Sequence, residues 1–387
     1  MNQKELRELR RRFRPDHNNI RTVYGCYVNA NKEIVSSFEE SVGLLSESER
    51  EKYLALLKKT LSGALGKNLL DISFATRQVV EGEEHKLLSA LRRTELKDAA
   101  LRDAFYRSVI DALDQDAGNT LILLACDVYD VPHFGKDGQR DDEPGEQFRY
   151  LVCAVCPVKD GKAALGYVPE DKRFHSAAAG QLVAAPELGF LFPAFDDRAA
   201  NIYNALFYTR DLSDDHKAFV DAVFRTEVPL PAGQEKALFG ELLSETFEQH
   251  CPFDLVQAVH EQLAERLSLH KESKDPETLT LSGEELGEIL VNSGASEEQA
   301  EAFRQRCRES LGEDAVLRPE NLSGTARMEI KTPEVKISVS PQFSHLIESR
   351  VIDGRRYLLI SADAGVELNG VPVEIVPEEA QAALTHE

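Results

Sequence analysis

The sequence lacks any long hydrophobic run. Its longest apolar stretches, residues 121–126 and 150–158, have the length of strands, well short of the roughly 18 to 20 residues that a membrane-spanning helix needs. The basic N-terminus is not followed by an apolar core and a small-residue cleavage site, so we expect no secretory signal. We therefore expect a cytoplasmic protein with no membrane partner.

Basic residues are scarce relative to acidic ones. The chain has 45 Lys and Arg against 67 Asp and Glu, a formal net charge of -22. Such a charge repels phosphate backbones, so it disfavours broad coating of nucleic acid and favours a protein as the macromolecular partner. The six cysteines are scattered and mostly lie in apolar stretches, as reduced thiols do in cytosolic proteins.

The length and composition predict a folded chain of more than one domain. At 387 residues the chain exceeds the roughly 250 to 300 residues that one hydrophobic core serves. A hydrophobic content of 42% supplies enough apolar surface for folding. We predict an N-terminal domain with a basic opening helix, a helical region, a small β-rich domain and a frayed acidic tail, at residues 1–228, 229–316, 317–377 and 378–387.

The hydrophobic pattern predicts an α+β fold. Residues 120–129 and 148–158 are nearly continuous apolar runs, typical of strands buried on both faces at the centre of a sheet. Apolar spacing predicts a helix that starts at Asp196 and Asp197 and continues to residue 206. Near the C-terminus, short β-rich runs alternate with turn dipeptides such as Asp353-Gly354. We therefore expect a mixed sheet with covering helices, a helical middle region and a small antiparallel β unit.

Every familiar catalytic or cofactor motif is incomplete. The segment 63–68 resembles a phosphate loop but has the wrong glycine spacing and follows a helix. Cys153 and Cys156 have CxxC spacing, yet they lie inside a strand, where side chains three residues apart point to opposite faces. His260-Glu261 lacks the second histidine of a zinc helix. No cofactor or metal site is evident, and the balance is against an enzyme.

A few acidic residues remain as catalytic candidates. Asp127 and Asp130 end a buried strand with His133 nearby, and Asp196 and Asp197 stand at the predicted helix start. Carboxylates at strand ends hold magnesium in phosphoester chemistry. The structural alternative is favoured, because Asp127 and Asp130 have an odd separation and Asp is a preferred N-cap residue.

The opening helix is the one basic segment. Residues 1–14 contain six basic and two acidic residues, a net charge of +4. The arginines could contact RNA or an acidic protein surface, or they could dock on the acidic body of the same chain, which is favoured. The candidate binding residues are Arg7, Arg10, Arg11, Arg12 and Arg14.

Several longer segments together are similar to a known family. They are RRRFRPDHNNI at 10–20, KYLALLKKTLSGALGKNLLDI at 52–72, PELGFLFPAFDDRAANIYNALFYTRD at 186–211, HKESKDPE at 270–277 and RVIDGRRYLLI at 350–360. With these segments the chain resembles, over nearly its whole length, a bacterial family catalogued as a domain of unknown function. The resemblance implies a bacterial cytoplasmic protein and assigns no activity, cofactor or site residue.

Three functional hypotheses follow from the sequence. The first is a non-catalytic binding or regulatory protein with a macromolecular partner. The second is a metal-dependent phosphoester hydrolase that uses Asp127, Asp130, Asp196 or Asp197 as ligands and His133 as a base. The third, weaker hypothesis is contact with RNA or the ribosome through the N-terminal arginines.

Overall fold

A computed structural model describes most of the chain in two compact units. It describes residues 1–114, 118–132, 147–161, 164–168, 172–177, 180–212, 214, 216–273, 275, 277–313, 315–323, 328–368, 370–373 and 375. The first unit comprises Met1–Gln234 with Asp275–Thr278, and the second comprises Glu235–Lys274 with Leu279–Glu387. Each unit is described in turn.

The first unit contains both helices and strands. Its elements, in chain order, are α1 (Gln3–Arg12), β1 (Thr22–Val28), β2 (Ile34–Ser41), α2 (Glu47–Lys59), β3 (Leu69–Ser73), α3 (Thr76–Glu81), α4 (Glu83–Arg93), α5 (Ala99–Ala112), β4 (Thr120–Asp130), β5 (Gln147–Asp160), β6 (Ala164–Val168), β7 (Arg173–Ala177), β8 (Gln181–Val183), β9 (Leu188–Phe192), β10 (Ala194–Asp196), β11 (Ala199–Asn201), β12 (Asn204–Thr209) and α6 (Lys217–Phe224).

One large sheet organises this unit. Its strand order is β2-β1-β4-β5-β9-β12-β3, with β8 pairing to the end of β5. All the pairings within it are antiparallel among the described strands, where the sequence predicted a mixed sheet. The α+β fold class is confirmed.

The two faces of the sheet bury two separate cores. On β4, Ile122 and Leu124 join the core covered by α4, α5 and α6, whereas Leu121 and Leu123 join the core covered by α1 and α2. Side chains alternate between faces along a strand, so a strand covered on both faces is apolar at nearly every position. The central placement predicted for residues 120–129 and 148–158 is therefore confirmed.

The first two helices each begin at a capping box. Ser46 accepts a hydrogen bond from the Glu49 amide, and the Glu49 carboxylate accepts one from the Ser46 amide, forming a capping box at the start of α2. Asn2 and Glu5 form the same arrangement at the start of α1. These reciprocal bonds satisfy amide groups that have no partner inside the helix.

The helix predicted from Asp196 to residue 206 is wrong. This segment forms β10, β11 and β12 instead, with Asp197 and Arg198 in the left-handed turn between β10 and β11. Every residue of β12 is buried, and β12 pairs with both β9 and β3. Tertiary pairing of an apolar strand here overrides a spacing that also fits a helix.

The second unit has a helical part and a series of hairpins. Its elements, in chain order, are α7 (Ala232–Thr246), α8 (Phe253–Ser273), β13 (Leu281–Ser282), α9 (Gly283–Asn292), α10 (Glu297–Leu311), β14 (Val316–Leu317), α11 (Pro319–Ser323), β15 (Met328–Lys331), β16 (Lys336–Val339), a 3-10 helix (Pro341–Leu346), β17 (Ile347–Ile352), β18 (Arg355–Ile360), β19 (Val366–Leu368) and β20 (Val371–Val373).

The helices of this unit share one core and the strands pair only locally. Phe239, Leu263, Ile289 and Phe303 are among the buried residues that α7 to α10 pack together. The last strands form three separate two-stranded antiparallel sheets, β15-β16, β17-β18 and β19-β20. Asp353 and Gly354 both have positive φ in the turn between β17 and β18, as a two-residue hairpin turn of this sequence requires.

Candidate functional site

Asp127, the first acidic candidate, belongs to a buried ion pair. The Arg12 guanidinium donates from Nε to Asp127 Oδ2 at 3.1 Å and from Nη2 to Oδ1 at 3.2 Å. Tyr150 Oη donates to Oδ2 at 2.7 Å, and the Asn19 amide donates to Oδ1 at 2.7 Å. The Asp127 side chain is 1% exposed. Its lone pairs are therefore engaged by four donors, two of which belong to Arg12 at the end of the first helix.

The other acidic candidates lie in different surroundings. Asp130 projects from the opposite face of β4 and accepts a hydrogen bond from Gln147 at 2.9 Å. Asp196 lies 3.3 Å from the N-terminal amino group of Met1. His133 lies outside the described residues. Within the described ranges, no three His, Cys, Asp or Glu side chains form a group that could hold a metal ion.

The arginines of the first helix divide into two sets. Arg10 donates to the carbonyl groups of Leu61 and Gly63 at 2.7 Å each, and Arg12 binds Asp127. Burial works to lower the pKa of Arg12, and the hydrogen bond and charge of Asp127 outweigh it and raise that pKa. The remaining three are exposed: Arg7, Arg11 and Arg14. Arg10 and Arg12 thus serve contacts within the chain.

A polar cavity lies at the end of the sheet where β1 and β5 begin and β4 ends. Its volume is about 430 Å³. In the β4–β5 register, Val128 faces Arg149 and Asp130 faces Gln147, so these four side chains share one face of the sheet. We call this space the sheet-end cavity.

The segment after α4 forms one wall of the sheet-end cavity. Glu95 and Leu96 both have positive φ, a conformation that costs energy for residues with a side chain. Leu96 is fully buried in the core under the sheet. Because Leu96 is anchored, Glu95 and Lys97 on either side of it are held at the cavity.

Cations outnumber acids around the sheet-end cavity. Arg21, Lys97 and Arg149 line it together with the acids Glu95 and Asp130. Lys97 Nζ lies 2.8 Å from Glu95 Oε2, and Arg149 Nη2 lies 3.4 Å from Oε1. The hydrogen bond from Lys97, followed by the charges of Lys97, Arg149 and Arg21, lowers the pKa of Glu95 against the opposing effect of burial.

A fourth cation, Arg92, lies next to Arg149. Arg92 Nε donates to the Arg149 carbonyl at 2.7 Å, and burial, with the nearby Arg149 charge, lowers the pKa of Arg92. The Nε atom of Arg149 is buried and has no hydrogen-bond partner in the described structure. The Cys126 thiol also lines the cavity, and burial raises its pKa to about 12.

The sequence pattern did not single out these residues. Arg149 offers the one usable signal, because it is a charged residue inside the nearly continuous apolar run of β5. Arg21, Glu95 and Lys97 come from chain segments that only the strand register and the turn after α4 bring together. Asp130 alone was a candidate, in a different role.

The hairpins of the second unit expose many large apolar side chains. In the β17-β18 hairpin, Ile347 is buried and Ser349 donates to Asp254 of α8 at 3.0 Å, so that face is turned to the helix. Val351, near the turn on that same face, is still 71% exposed. The opposite side, which we call the open hairpin face, consists of Glu348, Arg350, Ile352, Arg355, Tyr357 and Leu359.

Comparison with known proteins gives a family and no relative of known activity. The family whose title is "Domain of unknown function (DUF4317)" matches residues 1–371. No curated protein and no solved structure matches the chain. Among the described helices, none is both long and apolar enough to cross a membrane.

Proposed function

The chain belongs to the DUF4317 family, whose title names no activity, and we propose that it is a non-catalytic binding or regulatory protein with a protein partner. The partner contributes an extended, acidic segment that docks on the β17-β18 hairpin. The observation that carries this proposal is the open hairpin face, where three large apolar side chains and three charged ones are exposed on a sheet that has two strands among the described residues.

A two-stranded sheet is marginal by itself. An isolated hairpin in water needs further strands or a covering element for independent stability. Each of β17 and β18 pairs only with the other in the described structure, so each has a free edge of backbone donors and acceptors. An added strand would pair with such an edge, and its side chains would pack beside the apolar side chains of the open hairpin face.

The charges on the open hairpin face indicate the chemistry of the partner. Arg350 is paired with Glu348 at 2.7 Å, whereas Arg355 forms no ion pair within the described part of the chain. Arg and Tyr are among the side chains enriched at protein interfaces, and Ile352 and Leu359 add apolar contact area. A partner strand with aliphatic residues and a carboxylate opposite Arg355 complements this surface.

Two observations weigh against catalysis by the acidic candidates. Asp127 is saturated by four donors, including the Arg12 guanidinium, so its oxygens have no lone pair directed at a substrate or metal ion. Asp130 projects from the opposite face of β4. These arrangements favour the binding hypothesis over the phosphoester hydrolase.

The remaining features support a protein partner in a reducing compartment. The net charge of -22 repels nucleic acid, and Arg10 and Arg12 are engaged within the chain. All six cysteines are free thiols in the structure, as expected of a protein that works in the reducing cytoplasm.

A photo-crosslinking experiment tests the partner proposal. A photoreactive phenylalanine analogue replaces Tyr357 in a tagged full-length chain expressed in its native cell, with and without nuclease treatment. We expect a crosslinked protein that nuclease does not release. The same protein, purified, should bind the wild-type chain at least about tenfold more tightly than the double variant Ile352→Thr with Leu359→Thr, because that variant loses apolar contact area.

The control variant makes the same kind of substitution, aliphatic to threonine, at a position outside the open hairpin face. Val371→Thr removes an exposed aliphatic side chain from β20, and threonine preserves strand propensity in both variants. It should bind as the wild type does. Equal binding by all three chains would contradict the proposal, as would crosslinking only to nucleic acid or only to a second copy of the chain.

A further inference from the structure

We propose that the sheet-end cavity binds a small molecule that carries an oxyanion, a carboxylate or a phosphate. The site lies in the first unit and involves no residue of the hairpin surface. Its test is therefore independent of the partner proposal.

The walls of the cavity are fixed before any ligand arrives. The floor consists of three paired strands, and buried Leu96 anchors the segment that carries Glu95 and Lys97. Its volume of about 430 Å³ falls within the range of roughly 300 to 1,000 Å³ that small-molecule sites have. A ligand would bind here without reorganising the fold, which lowers the entropic cost of binding.

The sheet-end cavity has a local excess of positive charge, opposite in sign to the net charge of the molecule. Arg21, Lys97 and Arg149 line it, and the Arg92 side chain lies next to them, donating a hydrogen bond to the Arg149 carbonyl. Among the described residues, two carboxylates line the cavity beside these cations, in a chain whose formal charge is -22. A concave surface concentrates such a field, so a small anion is attracted to this place while the rest of the surface repels it.

The guanidinium groups of Arg149 and Arg92 are incompletely neutralised by the described residues. Arg149 shares the Glu95 carboxylate with Lys97, and its Nε has no partner in the described structure. The one hydrogen bond described for the Arg92 side chain goes to a backbone carbonyl. A bound oxyanion would neutralise this cluster and accept the charge-assisted hydrogen bonds that guanidinium groups form with carboxylate and phosphate.

The acids at the cavity limit the size and kind of ligand. Glu95 and Asp130 would repel a polyanion such as RNA, whereas they can accept hydrogen bonds from hydroxyl or amino groups of a small molecule. Polar Asn19 and Gln147 add further donors and acceptors. The chemistry fits a polar metabolite with one or two oxyanion groups.

Thermal unfolding of the full chain tests the site with two probes, inorganic phosphate and malonate, at ionic strength held constant with NaCl. We expect at least one probe to raise the Tm beyond the NaCl control. Arg149→Gln should weaken binding by about ten- to hundredfold, the effect of losing a charge-assisted hydrogen bond. Glu95→Gln should tighten binding severalfold, because it removes the competing negative charge.

The matched control is Arg77→Gln, which removes an 89% exposed guanidinium of α3 from the same unit. It should respond to the probes as the wild type does. A response to phosphate alone assigns the site to phosphate esters, and a response to malonate alone assigns it to carboxylates. If Arg149→Gln and Arg77→Gln respond alike, the effect is general charge screening and the proposal is wrong.

A second readout uses the wild-type chain and needs no variant. The Cys126 thiol lines the cavity, while Cys251 lies in the second unit. Because the Cys126 pKa is raised, the thiolate stays a small fraction at about pH 9, and a long incubation with iodoacetamide is used. The effective probe should slow this alkylation of Cys126 and leave that of Cys251 unchanged, as measured by peptide mass spectrometry. Absence of both the Tm shift and this protection would overturn the proposal.

Discussion

At the scale of single residues, Asp127 shows how a residue type that suggests catalysis can serve structure. A buried carboxylate is costly unless it is paired and its lone pairs are satisfied. Arg12, Tyr150 and the Asn19 amide meet both conditions, and the Arg12 guanidinium also lies 4.7 Å from the centre of the Tyr129 ring. This ion pair adds to the apolar contacts of Leu6 and Leu9, which also hold the first helix against the sheet.

Replacing this carboxylate should destabilise the fold. Asp127→Asn leaves the partly buried Arg12 guanidinium without a counter-charge. Removing one partner of a buried pair costs about 3 to 5 kcal/mol, and since the Arg12 side chain is 16% exposed, we expect a loss near the lower value. Urea unfolding followed by circular dichroism measures this free energy.

Asp130, also on β4, provides the control for the Asp127 substitution. Asp130 is exposed, so Asp130→Asn should change the free energy of unfolding by no more than about 0.5 kcal/mol. Wild-type stability of Asp127→Asn would show that the ion pair does not hold the first helix, and Asp127 would return as a functional candidate.

At the scale of elements, the sequence predicted those strands and turns whose position depends on residues close together in the chain. The turn at Asp353-Gly354 and the buried strands β4 and β5 follow from a turn dipeptide and from apolar runs. The segment from residue 196 to 206 failed because its apolar spacing fits both a helix and a strand, and only pairing with β9 and β3 decides between them.

Gly189 of β9 tests how closely α2 approaches the sheet. A Cβ atom there would lie 2.4 Å from the Cys153 carbonyl oxygen and 2.7 Å from Thr60 Cγ2 at the end of α2. Because one of these atoms belongs to the backbone, the strand or the helix must move. We expect Gly189→Ala to lower the free energy of unfolding by about 1 to 3 kcal/mol, the usual cost of overpacking.

Denaturant unfolding checks this prediction against a glycine with free space around it. A Cβ on Gly43 would meet no atom within 4 Å, so Gly43→Ala should leave the stability nearly unchanged. If the two variants unfolded at the same denaturant concentration, the close approach of α2 to β9 would not limit the side chain at position 189.

At the scale of the whole molecule, the candidate sites depend on features that one sequence does not display. The sheet-end cavity combines Arg21, the segment 95–97, Cys126 and Arg149, and these come together only through the antiparallel register of β1, β4 and β5. The antiparallel β unit that carries the open hairpin face was predicted. Its exposure became evident only from the absence of a third strand among the described ones.

The net charge gives a prediction for the molecule as a whole. A chain with a formal charge of -22 repels itself more strongly when folded, because compaction brings like charges together. Raising NaCl from about 0.05 to about 0.5 M shortens the screening length to a few Å and should therefore raise the Tm, by about 2 to 4 °C for each kcal/mol of repulsion removed.

Scanning calorimetry measures this shift, and its sign separates two contributions. Salt also screens exposed ion pairs such as Arg308 with Glu301, which contribute little each, whereas the buried pair of Arg12 and Asp127 is screened much less. A lower Tm at high salt would mean that surface ion pairs outweigh the self-repulsion of the acidic chain. A higher Tm would mean that the self-repulsion of the acidic chain outweighs the surface ion pairs. The cation excess of the sheet-end cavity would then reduce this repulsion locally.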